Sequence, residues 1–393
     1  MKKICFVVQR YGLEVNGGAE LLCRTVAEHL KNDVNIDIVT TCAIDYLSWK
    51  NEYNPGISEI NGIRVLRFSV DRPRNILIFN MISKALYNLP HCKAAEIYWM
   101  KRQGPESTEL LNYIKNHHKE YDCFVFFTYL YYTTFFGLPL VKDRSIFIPN
   151  AHDDLPIRFS IFYETFSSPQ IILFNTTEEK TFVHKRFDIS HIDWDIVGTG
   201  IDPPKDFNIT SKQKDNFKYA IYAGRIDTDK GCQELFSFFI RFKNQHPSDL
   251  KLLLIGKTVM QIPTHDDIIY LGFVDDVTKY QYIANATLLI MPSPYESLSM
   301  VLLESWHCKR PVLVNGGCEV LKGQCMRSRG GFWYNNYEEF SSYLNRLINN
   351  ENECINMGNN GYQYTVENYS WDNIIKKYLK AIDICIMKSQ SSE

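Results

Sequence analysis

Nowhere in the 393 residues do about 18 apolar residues run together, the length a helix needs to cross a bilayer. The apolar run Ile4–Val8 stops at Gln9-Arg10 with no cleavage site behind it, so it reads as a first strand rather than a leader. The 11 cysteines form no CxxC pair and keep no regular spacing. That is the pattern of reduced, buried thiols in a cytosolic protein, not of a disulfide framework. An excess of positive charge is also lacking: 43 Lys+Arg face 45 Asp+Glu, a net charge of -2. With no recognisable nucleic-acid module either, DNA and RNA are excluded as partners. What remains is a chain 45% hydrophobic and 22% charged, the composition of a soluble globular protein. Its length suits two domains better than one.

Both halves share one grammar. Ile4–Val8 reads as a strand, followed by the polar, Gly-containing loop Gln9–Gly18. Leu21, Leu22, Val26 and Leu30 then recur at helical intervals over Ala19–Leu30. Asn35–Thr40, Ile63–Phe68, Cys123–Phe127, Ser145–Ile148, Ile171–Phe174 and Ile192–Val197 are further strand candidates. Gly198–Gln213 changes to Gly, Pro, Asp, Asn, Ser and Thr, a candidate boundary. The pattern restarts with Tyr219–Ala223 as strand, Cys232–Gln245 as helix and Lys251–Ile255 as strand. Ile268–Leu271, Leu288–Met291 and Val312–Val314 continue it. The expectation is an α/β protein of two domains with mainly parallel sheets, 1–200 and 201–370. Such folds bind ligands at the carboxyl edges of their sheets. The segment 72–102 departs from this alternation, with six Lys/Arg, one Glu and many large apolar residues. It reads either as a helical excursion with solvated cations or as a surface for an acceptor or an anionic membrane.

The most informative residues lie in the second half. Gly224-Arg225-Ile226-Asp227-Thr228-Asp229-Lys230-Gly231 places two cations at the end of a strand and the start of a helix. Arg forks two oxygens and Lys adds a mobile charge, together opposing most of a diphosphate's charge. The plain alternative is two exposed cations near a helix start. Asp227 and Asp229 have the spacing to share a divalent ion, but suit a turn and a helix cap as well. Downstream, Glu296 and Glu304 stand eight positions apart, one beside a Pro-containing turn and one inside the apolar helix Ser299–His307. Backbone N–H groups of Ser297 and Leu298 at that helix start can face phosphate oxygens. Glu304, among Val301, Leu302, Leu303 and Trp306, is costly to bury without partners; ribose hydroxyls would satisfy it, and sugar hydroxyls would suit Glu296. The bland reading makes Glu304 a solvent-facing helical residue and Glu296 a cap.

In the first half, Asn16-Gly17-Gly18 opens the first helix and permits close backbone approach to a phosphate or acceptor. Glu20 is read as favouring the positive end of that helix. His152 follows the Ser145–Ile148 strand through Pro149-Asn150-Ala151 and precedes Asp153-Asp154. It is either a ligand contact or loop scaffolding. Thr176 or Thr177 can cap a helix ahead of Glu178-Glu179.

At these residues the chain resembles the retaining GT-B glycosyltransferases of family 4, along nearly its full length and most sharply from Tyr219 to Val314. The resemblance implies two Rossmann-like domains facing across a deep cleft. The N-terminal one, 1–200, would take the acceptor, the C-terminal one, 201–370, the donor, and a helix from 371 to 393 would pack back on the first. It maps the family's phosphate-binding cations onto Arg225 and Lys230, beside Gly224. Its Glu-x7-Glu motif falls on Glu296 for the sugar and Glu304 for the ribose, its Gly-rich loop on Gly17 and Gly18, and its sugar-facing His on His152. Two departures stand out: Glu296-Ser297-Leu298-Ser299 where the family often has Glu-Gly-x-Gly, and Lys309-Arg310 where Gly commonly precedes Pro-Val.

The resemblance further implies metal-independent transfer, with retention, from a nucleoside-diphosphate sugar to a hydroxyl of a saccharide or lipid-linked glycan. No other cofactor is expected. Polysaccharide or lipopolysaccharide assembly in the cytoplasm, at the inner face of the membrane, is the implied setting. A nucleotide-sugar epimerase or phosphorylase of the same architecture, or a non-catalytic sugar-binding partner, is the alternative.

Overall fold

In a computed structural model that describes residues 1–15, 17–207 and 217–392, the alternating apolar runs assemble into two separate sheets. The chain divides between Thr199 and Gly200, and from Trp371 it returns to the first unit. Of the compositional boundary Gly198–Gln213, residues 208–213 lie outside the described residues, as does Asn16. Among the described residues, no helix is long and apolar enough to cross a membrane.

The first unit contains β1 (Lys3–Val7), β2 (Asn35–Thr41), β3 (Gly56–Ile60), β4 (Ile63–Phe68), β5 (Cys123–Phe127), β6 (Ser145–Ile148), β7 (Ile171–Phe174) and β8 (Asp193–Ile196). Their order is β3-β4-β2-β1-β5-β6-β7-β8, parallel except for the antiparallel β3–β4 pair. Every residue of β5 is buried, because helices cover both faces of a parallel sheet and its strands become continuous apolar runs. The edge strand β3 was not anticipated from the sequence; four of its five residues are exposed. Its signal was the turn Asn61-Gly62, both at positive φ, the dipeptide favoured by tight hairpins.

The final helix, Trp371–Ser392, belongs to this unit through a stripe at helical spacing. Ile374, Tyr378, Ala381, Ile382 and Cys385 join Ile4, Val125 and Ile146 in one core cluster. The Trp371 ring stacks on His29 at 3.8 Å between centroids. The excursion 72–102 forms two helices, Ile76–Asn88 and Lys93–Gln103. Phe79, Ile82, Leu86 and Tyr87 turn inward, and Trp99 Nε1 donates to Ser83 Oγ at 2.8 Å. Leu77, Ile78 and Met81 of the same helix face solvent.

The second unit contains β9 (Tyr219–Ala223), β10 (Lys251–Ile255), β11 (Ile268–Gly272), β12 (Leu288–Met291), β13 (Val312–Asn315) and β14 (Gly331–Tyr334). Its order, β11-β10-β9-β12-β13-β14, is parallel throughout. Ile221 at the centre of β9 lies opposite Leu253 on one side and Leu289 on the other. The chain winds outward from β9 to β11, then returns to lay β12 against β9. At this reversal the connections leave β9 and β12 in opposite directions, opening a crevice at their carboxyl ends. The residues following β9 and β12 are Gly224–Gly231 and Pro292–Ser299.

Candidate functional site

The loop after β9 is held by its own hydrogen bonds and ion pair. Gly224 N donates to Ile255 O at 2.9 Å, and the Tyr222 hydroxyl donates to Arg225 O at 2.6 Å. Arg225 Nε lies 2.8 Å from Asp227 Oδ2. Asp227 also accepts from Asp229 N at 3.2 Å and starts the short 3-10 turn Thr228–Lys230. The capping role foreseen for Asp229 therefore falls to Asp227, because this turn intervenes before the helix Cys232–Gln245 begins.

Gly231 joins the two elements at φ +75°, and a Cβ there would stand 2.3 Å from Pro292 O. The loops after β9 and β12 thus touch through a position only glycine fills. Asn315 at the end of β13 donates to the same Pro292 oxygen at 3.0 Å. Across this contact Lys230 Nζ donates to Glu296 Oε1 at 2.7 Å. Both side chains keep part of their surface in solvent, 33% and 15%.

Beyond Glu296, Gln324 Nε2 holds Leu298 O at 2.5 Å. Ser299 starts the helix Met300–His307 at φ +68°, a left-handed conformation that costs an L side chain about 1–2 kcal/mol. Its buried hydroxyl has no hydrogen-bond partner among the described residues. This is where the departure from Glu-Gly-x-Gly becomes structural: serine occupies a backbone shape made for glycine.

Glu304 is buried, at 6% exposure, which removes the solvent-facing reading. Its counter-charge is a residue the sequence reading passed over: Lys279 Nζ donates to Glu304 Oε1 at 2.9 Å and lies 3.0 Å from Asp276 Oδ1. Burial alone would lower Lys279, but Glu304 and then Asp276 outweigh it and hold the ammonium above its ordinary value. The signal was a lysine in the first turn of the helix Asp276–Asn285, against the helix dipole and followed at once by Tyr280.

In the first unit, Gly17 opens the helix Gly18–Leu30, and its carbonyl accepts from Leu21 N at 2.9 Å. A Cβ on Gly17 would stand 2.1 Å from Glu20 Oε2, whereas Gly18 faces open space. Glu20 Oε1 accepts from Gln9 Nε2 and Arg10 Nε, each at 2.8 Å. Gly17 therefore makes room for a buried ion pair, and Glu20 holds the loop after β1 rather than serving the helix dipole alone.

His152 follows β6, with Nδ1 3.6 Å from Asp154 Oδ2. Asp154 accepts from the Tyr129 hydroxyl at 2.5 Å and from Ile157 N at 3.2 Å; burial raises it above the usual carboxylate range. On the other side Glu179 accepts from Ala151 N and Asn175 N, both at 2.6 Å. Thr176 Oγ1 takes Glu179 N at 3.2 Å and caps the helix Thr177–Arg186. Burial pushes Glu179 up to about 8, against the pull of those backbone donors. The sequence signal was a capping box, Thr176 followed by an acid three residues on.

The structure thus gathers Gly224, Arg225, Lys230, Glu296, Ser297 and Leu298 on two touching loops at one sheet edge. Glu304 stands one turn further into the helix, on its own lysine. Gly17, Gly18 and His152 belong to loops of the other unit. Among the described residues, no group of three or more His, Cys, Asp or Glu side chains is placed to hold a metal ion.

Residues 204–364 match the family of glycosyl transferases group 1. Over 98% of both chains, the protein is 23% identical to an uncharacterized glycosyltransferase of Methanocaldococcus jannaschii. Among solved structures it is similar to sucrose-phosphate synthase of Thermosynechococcus elongatus, with a TM-score of 0.71 at 13% identity over 97% of this chain and 98% of the other. It is also similar to Anabaena HepE in complex with UDP and glucose, with a TM-score of 0.68 at 14% identity over 98% and 100%. The fold is GT-B, two Rossmann-like α/β domains, and the match to glycosyl transferases group 1 falls in the second of them.

Proposed function

We propose that the protein is a retaining, metal-independent glycosyltransferase that moves a sugar from a nucleoside-diphosphate donor to a hydroxyl of a saccharide or lipid-linked glycan. The observation that carries this reading is the contact of the Arg225–Lys230 loop with the Glu296 loop at the strand reversal of the second sheet. The group 1 match over 204–364 supports it, as does the similarity to HepE, which was solved with UDP and glucose.

Arg225 and Lys230 would face the diphosphate, whose negative charge grows as the glycosidic bond breaks. The start of the Met300–His307 helix, with Ser297, Leu298 and the unpartnered Ser299 hydroxyl, adds donors to the same phosphates. Glu296 would hold the sugar's hydroxyls and Glu304 the ribose. His152 would bind sugar or acceptor, with Gly17 and Gly18 on the acceptor side. The acceptor proton would pass to the leaving phosphate on the same face of the sugar, which preserves the anomer. The setting we assign is the cytoplasm, at the inner face of the membrane, in polysaccharide or lipopolysaccharide assembly.

The test is a screen of UDP-, GDP-, ADP- and dTDP-sugars for binding and slow hydrolysis, then of acceptors, with product NMR. Transfer with the donor's anomeric configuration preserved is the expected result. An altered free nucleotide sugar, a requirement for inorganic phosphate, or an inverted product would overturn the reading.

A further inference from the structure

Glu304 and Lys279 come from helices that leave the same edge of the second sheet. The helix Asp276–Asn285 follows β11 and carries Lys279 in its first turn; Met300–His307 follows β12 and carries Glu304 in its second. Their N-terminal turns therefore open toward the strands' carboxyl ends, where the Arg225 and Glu296 loops lie. The two helices pack against each other, and Lys279 reaches across to Glu304 Oε1 at 2.9 Å while Asp276 steadies it from the solvent side at 3.0 Å. Among the described residues, Glu304 Oε2 takes no hydrogen bond.

A carboxylate with one oxygen pinned and the other open is a directional acceptor. Left without a partner in this apolar helix, Glu304 would be costly to bury and free to swing between rotamers, which removes that direction. Lysine at 279 supplies the counter-charge and, by holding Oε1, fixes which oxygen is offered.

We propose that Lys279 is a positioning residue that presents Glu304 Oε2 to the vicinal hydroxyls of a ribose, and so makes the site select ribonucleotides over nucleotides lacking those hydroxyls. This rests on the reading above that Glu304 meets the ribose. Lys279 acts through Glu304: its ammonium donates to Glu304 Oε1 and lies 3.0 Å from Asp276 Oδ1. The selection follows from an asymmetry of polar recognition. A site built to accept hydroxyl donors loses a charge-assisted bond when the hydroxyls are missing.

The experiment is calorimetric titration of the full chain with whichever of UDP, GDP and ADP binds best, and with its 2′,3′-dideoxy counterpart. Wild type should prefer the ribonucleotide by about tenfold or more, the range of one hydrogen bond to a charged group. Lys279→Met should shrink that preference to within about threefold, mainly by weakening the ribonucleotide. Lys279→Arg should restore most of it. In turnover, the donor KM should rise more than kcat falls.

Lys279→Met that keeps the wild-type preference overturns the proposal and leaves the donor-site reading standing. Wild type that binds nucleotide without distinguishing the two sugars overturns the assignment of Glu304 to ribose, and the proposal with it. Wild type that binds none of the three nucleotides overturns the donor-site reading as a whole. Should Lys279→Met fail to fold, Lys279→Gln, which keeps an amide donor without the charge, is judged by the same preference.

Discussion

Lys230 Nζ lies 2.7 Å from Glu296 Oε1, an ion pair that joins the loop after β9 to the loop after β12. Arg225 is likewise engaged, 2.8 Å from Asp227. Both cations are thus held by carboxylates on their own unit. On the proposed reading, a diphosphate would exchange these partners for its own oxygens and release Glu296 toward sugar hydroxyls.

Arg225→Ala should lower transfer at least about tenfold through loss of charge-assisted stabilisation of the leaving group. The side chain is half-exposed, so the thermal midpoint should hardly move. Initial rates and melting curves on the same preparation check this. Near-normal specific activity with donor bound would remove Arg225 from the mechanism.

Gly231→Ala acts on the frame instead. The position combines φ +75° with a Cβ 2.3 Å from Pro292 O, so alanine both strains the backbone and pushes the two loops apart. A loss of at least about 1–2 kcal/mol is expected from the left-handed conformation alone. Transfer should fall as Lys230 separates from Glu296. Urea unfolding read beside kinetics decides it, and unchanged stability would show that the loop relaxes freely.

Glu179 supplies a pH signature. Burial raises its folded value to about 8, above the ordinary 4.3 or so of an unfolded glutamate. Folding therefore favours the protonated acid. That contribution is fully present below about pH 4 and is lost as pH rises through about 8. Glutamine cannot titrate, and it places an amide donor against one of two backbone N–H groups. The stability advantage of wild type over Glu179→Gln should be largest near pH 5 and shrink toward pH 9. Paired melts at pH 5, 7 and 9 measure it, and a pH-independent difference would mean the carboxyl does not change protonation there.

The Ile76–Asn88 helix is the candidate membrane contact. Leu77 and Met81, one turn apart, are 77% and 73% exposed, and its one charged residue is Lys84. Vesicles containing phosphatidylglycerol should sediment the protein more than phosphatidylcholine alone. The double change Leu77→Asp, Met81→Asp should abolish the difference without altering the fold. Equal sedimentation of variant and wild type would move any membrane contact elsewhere.

The sequence by itself determined most of the strands, several of the helices and the positions of the charged motifs. These follow from local rules: the two periods of apolar residues, and loops placed where a strand ends. It also placed Arg225 and Lys230 after one central strand and Glu296 after another. Only the tertiary structure decided partners. Lys279 with Glu304, Glu179 with Ala151 N and Gly231 with Pro292 O are each separated by more than 20 residues. Their pairing depends on which strands lie side by side, and strand order is set by packing that no local window records. For the same reason Gly17 reads in the sequence as a ligand-facing glycine and in the folded unit as space for the carboxylate of Glu20.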